Sequence, residues 1–405
     1  MAVAREKYMD FLRKQKDKDI VKIITGIRRC GKSTLLFELF YEELKKTGIP
    51  DHHIIKIAFD NIRNEALLDA KNLYFEIERR IKDEERYYIF LDEIQMVADF
   101  EDVVNGIKRD FNCDVYITGS NSEFLSSDIR TKFRGRGIEL HVQPFSLKEL
   151  YDYEQTDKHQ LLNQYMLYGG MPYLVQEEDA MLKNRYLKTV AESVQMNDII
   201  ERHGIRNNEV FQAMVELLCS SIGTYVSSRK IADTLKSNGH SGVDHKTVGN
   251  YLNYLCDAFL FYKVQRYDIK GRAYLKTLHK YYACDIGIRN AILNFRQLEP
   301  THAIENIVYL ELIRRGYLVD IGSNRNKEID FMARDMNHTY YIQVSYSVLD
   351  PSTRAREIGS FKNLDDGYKK IVITMDNDPF TNLENGYKKV NMLDFLLDEK
   401  CLENI

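Results

Sequence analysis

Apolar residues along this chain follow two rhythms, and their order predicts the architecture. A β-branched run (Val21, Ile23, Ile24) ends at Gly26 and reads as a strand. Leu35, Leu36, Leu39 and Phe40 then recur at helical spacing. Residues 52–61 alternate apolar and polar like a second strand, and 67–82 return to the helical period. The run YYIFLDE at 87–93 is apolar on both faces until its two terminal acids, as a central parallel strand requires. Residues 113–122 and 138–142 are two further strands, and 1–19 form a short amphipathic helix carrying Tyr8, Phe11 and Leu12. Strands alternating with helices predict an α/β domain around a parallel sheet.

Beyond residue 143 the rhythm becomes helical. Residues 144–195 are broken at Tyr168-Gly169-Gly170-Met171-Pro172, a natural turn, and the helical pattern continues through 194–201 and 210–219. The segment SSRKIADTLKS reads as a capped helix and NGHSGV as a turn. DHKTVGNYLNYLCDAFL is a second helix opening on Asp244. FYKVQRYDIKGRAYLK then alternates as a hairpin with Lys270-Gly271 at its tip. A helix over 302–317 and two strands, GSNRNKEIDFMAR and YYIQVSYS, open the last segment.

At 405 residues the chain exceeds one ordinary domain. Its 44% hydrophobic and 29% charged residues describe a globular protein, and no stretch has the apolar length of a membrane helix. The charged first twenty residues lack a secretory core, so a cytoplasmic location is expected. Six cysteines stand singly, with no C-x-x-C pair, which fits a reducing compartment and speaks against a zinc site. A net charge of −4 names no partner.

The chemistry concentrates at the first strand end. Gly26-Ile27-Arg28-Arg29-Cys30-Gly31-Lys32-Ser33 has the pattern G-x-x-x-x-G-K-S between strand and helix. Backbone N–H groups of such a loop form an anion nest, and the following helix adds its positive dipole end. Gly26 and Gly31 permit the close approach that a Cβ would obstruct. Lys32 is placed to reach β- and γ-phosphates, and the Ser33 hydroxyl to ligate Mg²⁺. Asp92, at the end of the 87–93 strand, is the acid that holds the magnesium, and Glu93 polarises an attacking water. Ser120 or Asn121, at another strand end, is a candidate partner for the γ-phosphate or the water, against the alternative of a plain turn. Arg134 and Arg136 lie between glycines in FRGRG. Arg136 is the stronger candidate for a catalytic arginine, acting in cis or from a neighbouring subunit.

With GIRRCGKST, YYIFLDEIQ, VYITGSNS and FRGRGIELHVQPFSLKEL, the chain resembles the prokaryotic AAA-type ATPases of the AAA+ superfamily. The resemblance implies that Gly26 to Thr34 form the nucleotide loop, Asp92 and Glu93 the Walker B pair, and ATP the ligand. It also implies a sheet of about five parallel strands, a helical segment, a winged helix and a C-terminal domain. The expected division is 1–143 for the ATPase core, 144–220 for a helical lid, 221–290 for the winged helix and 291–405 for the last domain.

Residues 221–280 carry ten Lys and Arg against four Asp and Glu, a local +6. A basic second helix with His245, Lys246 and Thr247 near its start suits a DNA major groove, while the competing reading is a protein–protein module. In the last domain, Glu305 on a helix, Asp330 on a strand and Gln343 on the next resemble the PD-(D/E)xK nuclease arrangement. The lysine position is Ser345, and Gln343 brings no charge, so the expectation is a nuclease-like fold without cleavage. Taken together these features predict a Mg²⁺-dependent ATPase acting as a molecular switch. An ATP-regulated DNA binder with little turnover, or an ATP-gated nuclease, is the alternative. An unidentified protein partner is expected, and a trans-acting Arg136 would require assembly.

Overall fold

A computed structural model describes residues 3–120, 133, 135–240, 242–325, 327–379 and 381–405. The chain divides into two compact units. One comprises 1–143 with 257–259, the other 144–256 with 260–405.

The first unit is built on five strands: β1 (Val21–Thr25), β2 (Ile54–Ala58), β3 (Tyr87–Asp92), β4 (Cys113–Gly119) and β5 (Gly137–His141). They lie in the order β2-β3-β4-β1-β5, and every neighbouring pair is parallel. The α/β parallel sheet expected from the alternating pattern is therefore present. Both faces are covered, which is why the strands carry unbroken apolar runs. Ile89, Leu91, Val115 and Ile117 pack with Val103, Val104 and Ile107 of the helix Phe100–Asp110. On the opposite face Phe90 and Tyr116 meet Phe40, with ring centroids 5.9 and 5.1 Å away. Alternation along β3 thus sends Ile89 and Leu91 one way and Phe90 the other.

One polar pair sits inside this apolar layer. Lys22 of β1 and Asp114 of β4 are both fully buried and hydrogen-bonded to each other. The ammonium also donates to Lys18 O at 2.9 Å, and the carboxylate accepts from Tyr116 Oη and Asp17 N, each at 2.8 Å. With two acceptors on the ammonium and three donors on the carboxylate, the pair escapes the penalty of a lone buried charge; breaking such pairs costs about 3–5 kcal/mol.

In the parallel sheet all carboxyl ends point one way, so Thr25, Ala58, Asp92, Gly119 and His141 form one rim. Residues that precede a strand lie at the opposite rim. Arg136, whose carbonyl accepts from Val21 N at 2.7 Å, is one of these.

The second unit begins with helices that include Leu147–Glu154, Lys158–Tyr168, Ala180–Ser193 and Asn208–Ser220. The glycine turn read at 168–172 is tied to a later segment. Asp285 accepts from Gly170 N at 2.7 Å while capping the helix Ile286–Ile292 through Ile288 N at 3.0 Å. A Cβ on Gly170 would lie 2.1 Å from Phe145 O, so only glycine fits.

Seven strands form the sheet of this unit: β6 (Phe261–Asp268), β7 (Ala273–Ala283), β8 (Leu318–Asn324), β9 (Lys327–Arg334), β10 (Thr339–Ser345), β11 (Lys369–Thr374) and β12 (Lys388–Asn391), in the order β12-β11-β10-β9-β8-β6-β7. The two basic helices are Ser228–Ser237 and His245–Asp257, followed by the expected hairpin of β6 and β7. That hairpin is not a free wing. Its β6 pairs in parallel with β8, Arg266 opposite Ile321 and Asp268 opposite Ser323. A border at 290/291 therefore does not separate two sheets, because backbone pairing across more than fifty residues joins them.

Candidate functional site

The glycine-rich loop after β1 closes around its own lysine. Gly26 has φ 146°, and a Cβ there would fall 2.1 Å from Val142 O. Gly31, at φ 98°, stands immediately before the helix that begins with Lys32–Thr34 and continues through Leu35–Phe40 and Tyr41–Lys46. Arg29 also takes the left-handed conformation, at φ 64°. Such angles disfavour a β-carbon, so the loop is held by its surroundings. Cys30 is buried and its thiol donates to Val142 O at 3.2 Å; burial pushes this thiol up from its ordinary pKa. The buried Arg5 guanidinium spans the loop and the chain after β5, donating to Cys30 O at 3.1 Å and Gln143 O at 2.7 Å.

Lys32 Nζ donates to Gly26 O at 2.9 Å and Ile27 O at 3.2 Å, and lies 3.7 Å from Glu93 Oε1. Ser33 Oγ donates to Asp92 Oδ2 at 2.7 Å. The Thr118 hydroxyl donates to the other Asp92 oxygen and accepts from Glu93 N at 3.0 Å. Gln95 Nε2 donates to Glu93 Oε2 and reaches Ser120 Oγ at 3.4 Å. Burial raises the Asp92 carboxyl above its ordinary pKa, opposed by the Thr118 and Ser33 hydroxyls.

These residues fit a nucleotide with its magnesium. Asp92 and the solvent-exposed Ser33 present two oxygens side by side, the donor type that a hard cation takes. A lysine whose ammonium rests on loop carbonyls is a cation waiting in an anion nest. Glu93 stands at φ 54°, a left-handed turn that swings its side chain off the strand axis beside Lys32. A carboxylate there can take a hydrogen bond from water, and the ammonium can neutralise phosphate oxygens.

The structure brings together Lys32, Ser33, Asp92, Glu93 and Ser120. Asn121 and Arg134 lie outside the described residues. Arg136 does not reach the loop of its own chain, because it precedes β5 and a parallel sheet puts that position at the far rim. Thr118, Gln95 and Arg5 were missed in the sequence. Thr118 had a signal: a hydroxyl next to the end of a central strand, after the apolar Val115 to Ile117. Gln95 and Arg5 had none, since their partners are distant in the chain.

In the second unit, Glu305 of the helix Pro300–Arg314 and Asp330 of β9 do share a neighbourhood, but a lysine stands between the acids. Lys280 Nζ of β7 is 3.0 Å from Glu305 Oε1 and 2.6 Å from Glu328 Oε1, and Tyr282 Oη donates to the same Glu305 oxygen at 2.7 Å. Burial opposes the Lys280 charge, yet Glu305, Asp330 and Glu328 together raise its pKa. Burial and then the Glu305 charge hold the Asp330 carboxyl well above its usual range. Gln343 turns away, its Oε1 accepting from Asp330 N at 2.7 Å and its Nε2 donating to Glu357 at 3.0 Å. Ser345 Oγ donates to Ser347 O at 3.1 Å.

Comparison with known proteins agrees with the first unit. A family model described as "AAA domain" matches residues 18–151, and one described as "Domain of unknown function (DUF8612)" matches 159–299. An uncharacterized protein of Haemophilus influenzae is 35% identical over 378 residues, 92% of this chain and 93% of that protein. The uncharacterized protein MJ1544 of Methanocaldococcus jannaschii is 29% identical over 362 residues, 84% of this chain and 78% of that protein. Among solved structures, the Aeropyrum pernix Orc1 protein in complex with DNA aligns with 73% of this chain and 93% of its own, at 14% identity. Its TM-score of 0.29 is too low to carry an inference. The chain belongs to the same family as the Haemophilus influenzae protein, and its first unit is an AAA+ P-loop core.

Proposed function

We propose that this protein is a Mg²⁺-dependent ATPase working as a molecular switch, with hydrolysis in the first unit coupled to movement of the second. The observation that carries this reading is the joined pair of contacts Ser33–Asp92 and Lys32–Glu93 at one sheet rim. ATP lies in the loop between Gly26 and Thr34, its phosphates on the backbone N–H groups and Lys32. Ser33 and Asp92 would hold a magnesium ion, which would supply charge neutralisation for the phosphates. Glu93 orients the attacking water, Thr118 fixes the two acids relative to each other, and Gln95 with Ser120 steadies Glu93. Arg136 has a role only if supplied by another copy of the chain. In a colourimetric assay, phosphate release from ATP requires Mg²⁺ and stops with EDTA. Turnover that persists in EDTA refutes the metal assignment.

A second reading, contact with duplex DNA in the cytoplasm, is favoured by the basic segment. Arg229, Lys230, Lys246, Lys270 and Arg272 are exposed on or beside the two helices and the hairpin tip. Lys280, one of the ten basic residues counted there, is buried and does not add to that face. Reversing Lys246 and Arg272 to glutamate should abolish a salt-sensitive shift of duplex DNA in a gel assay. No shift of the wild-type complex at low salt removes the reading. In the same mixture with Mn²⁺ the duplex stays uncut, because Lys280 is paired with Glu305 and burial raises the Asp330 carboxyl, which leaves little negative charge for a metal.

A further inference from the structure

A second cluster of potential ligands lies at the opposite rim of the first sheet, away from the phosphate loop. His52 and His53 occupy the turn Asp51–His53 that leads into β2, and Asp83 lies in the segment leading to β3. One ligand atom from each of the three lies within 4.8 Å of the others. His53 Nε2 is already 3.1 Å from Asp83 Oδ2. Two ligands bonded tetrahedrally to one zinc ion sit about 3.3 Å apart, so this pair has the required separation.

The surroundings hold the set in place. The other Asp83 oxygen, Oδ1, accepts from Glu85 N at 3.1 Å. The His53 ring packs on Tyr87, the first residue of β3, with centroids 4.7 Å apart. The His52 ring sits edge-on to His53 at 4.3 Å, and the residue is exposed. Supports of this kind keep ligands oriented before a metal arrives. Two imidazoles and one carboxylate suit a borderline divalent ion and leave a fourth position for water. Cysteine spacing bears on thiolate sites alone and is silent about this one.

We propose that His52, His53 and Asp83 form a binding site for a divalent transition ion of the zinc class. Bound there, the ion ties the entry of edge strand β2 to the chain that precedes β3. It bridges two segments already joined by the His53–Asp83 hydrogen bond, so its effect is structural.

The test uses the full-length chain without a histidine tag. Zinc is titrated against a chromophoric chelator, and Co²⁺ absorption reports an imidazole–carboxylate environment. Wild type takes up one Zn²⁺, and its thermal midpoint rises with added Zn²⁺. His52→Ala and Asp83→Asn, both at exposed side chains, keep the circular dichroism of wild type but weaken that uptake by about 10- to 100-fold. They also lose the thermal response. Uptake unchanged in both variants overturns the proposal, as does an absence of binding by wild type at about 100 μM Zn²⁺.

Discussion

Lys32→Ala lowers ATP-dependent phosphate release by about 10²- to 10³-fold, the loss that follows removal of one preorganised charge from a site of phosphoryl transfer. The ammonium is 3% exposed, so little water screens it, and its field acts at short range. It also holds the loop closed through Gly26 O and Ile27 O, and both carbonyls lose this donor in the variant. Losing a buried partner costs about 1–3 kcal/mol, so nucleotide affinity falls with the rate. Lys32→Arg does not rescue, because the larger planar guanidinium does not fit the buried space of a compact ammonium. Phosphate release by the three proteins, at equal concentration and saturating Mg²⁺, measures the effect. A Lys32→Ala rate within a factor of about three of wild type, under 1 kcal/mol, is the opposing result.

Glu93→Gln separates binding from hydrolysis. The amide has the shape of the carboxylate, and the backbone N–H that meets Thr118 is unchanged, so the turn at φ 54° survives. What is lost is the capacity to take a proton from water, which contributes about 10²- to 10⁴-fold. Removing the negative charge beside Lys32 also removes repulsion of the γ-phosphate. The variant therefore retains ATP through gel filtration while wild type releases ADP, as chromatography of the bound nucleotide will report. Unimpaired turnover in Glu93→Gln assigns the water to another group.

The phosphate loop and the acids of β3 were legible because they are local: strand, glycines, lysine and helix lie within about twenty residues of one another. The five-stranded sheet followed from alternation, and its parallel sense from the helices between strands. That same parallel sense puts Arg136 away from the loop of its own chain, so of its two expected roles, in cis or from a neighbouring subunit, the second is the one left to test. A residue just before a strand lies at the amino rim, while the loop lies at the carboxyl rim. The hairpin of β6 and β7 looked like a wing because its signal is local, whereas its pairing with β8 is long-range and leaves no periodic trace. Lys280 escaped notice for a related reason. The motif places its lysine two residues beyond Gln343, whereas a buried cation supplied from β7 leaves no spacing to count. Thr118 could have been found from a hydroxyl at a strand end; Gln95 and Arg5 could not.

The central claim is that the loop around Lys32, with Ser33 and Asp92 beside it, binds nucleoside triphosphate and magnesium. Equilibrium dialysis with radiolabelled ATP addresses it directly, with Mg²⁺ present, on wild type and Lys32→Ala. One nucleotide per wild-type chain, and affinity lower by at least about tenfold in the variant (a loss near 1.4 kcal/mol), is the expected result. Equal binding by the two proteins, or none by wild type, contradicts it.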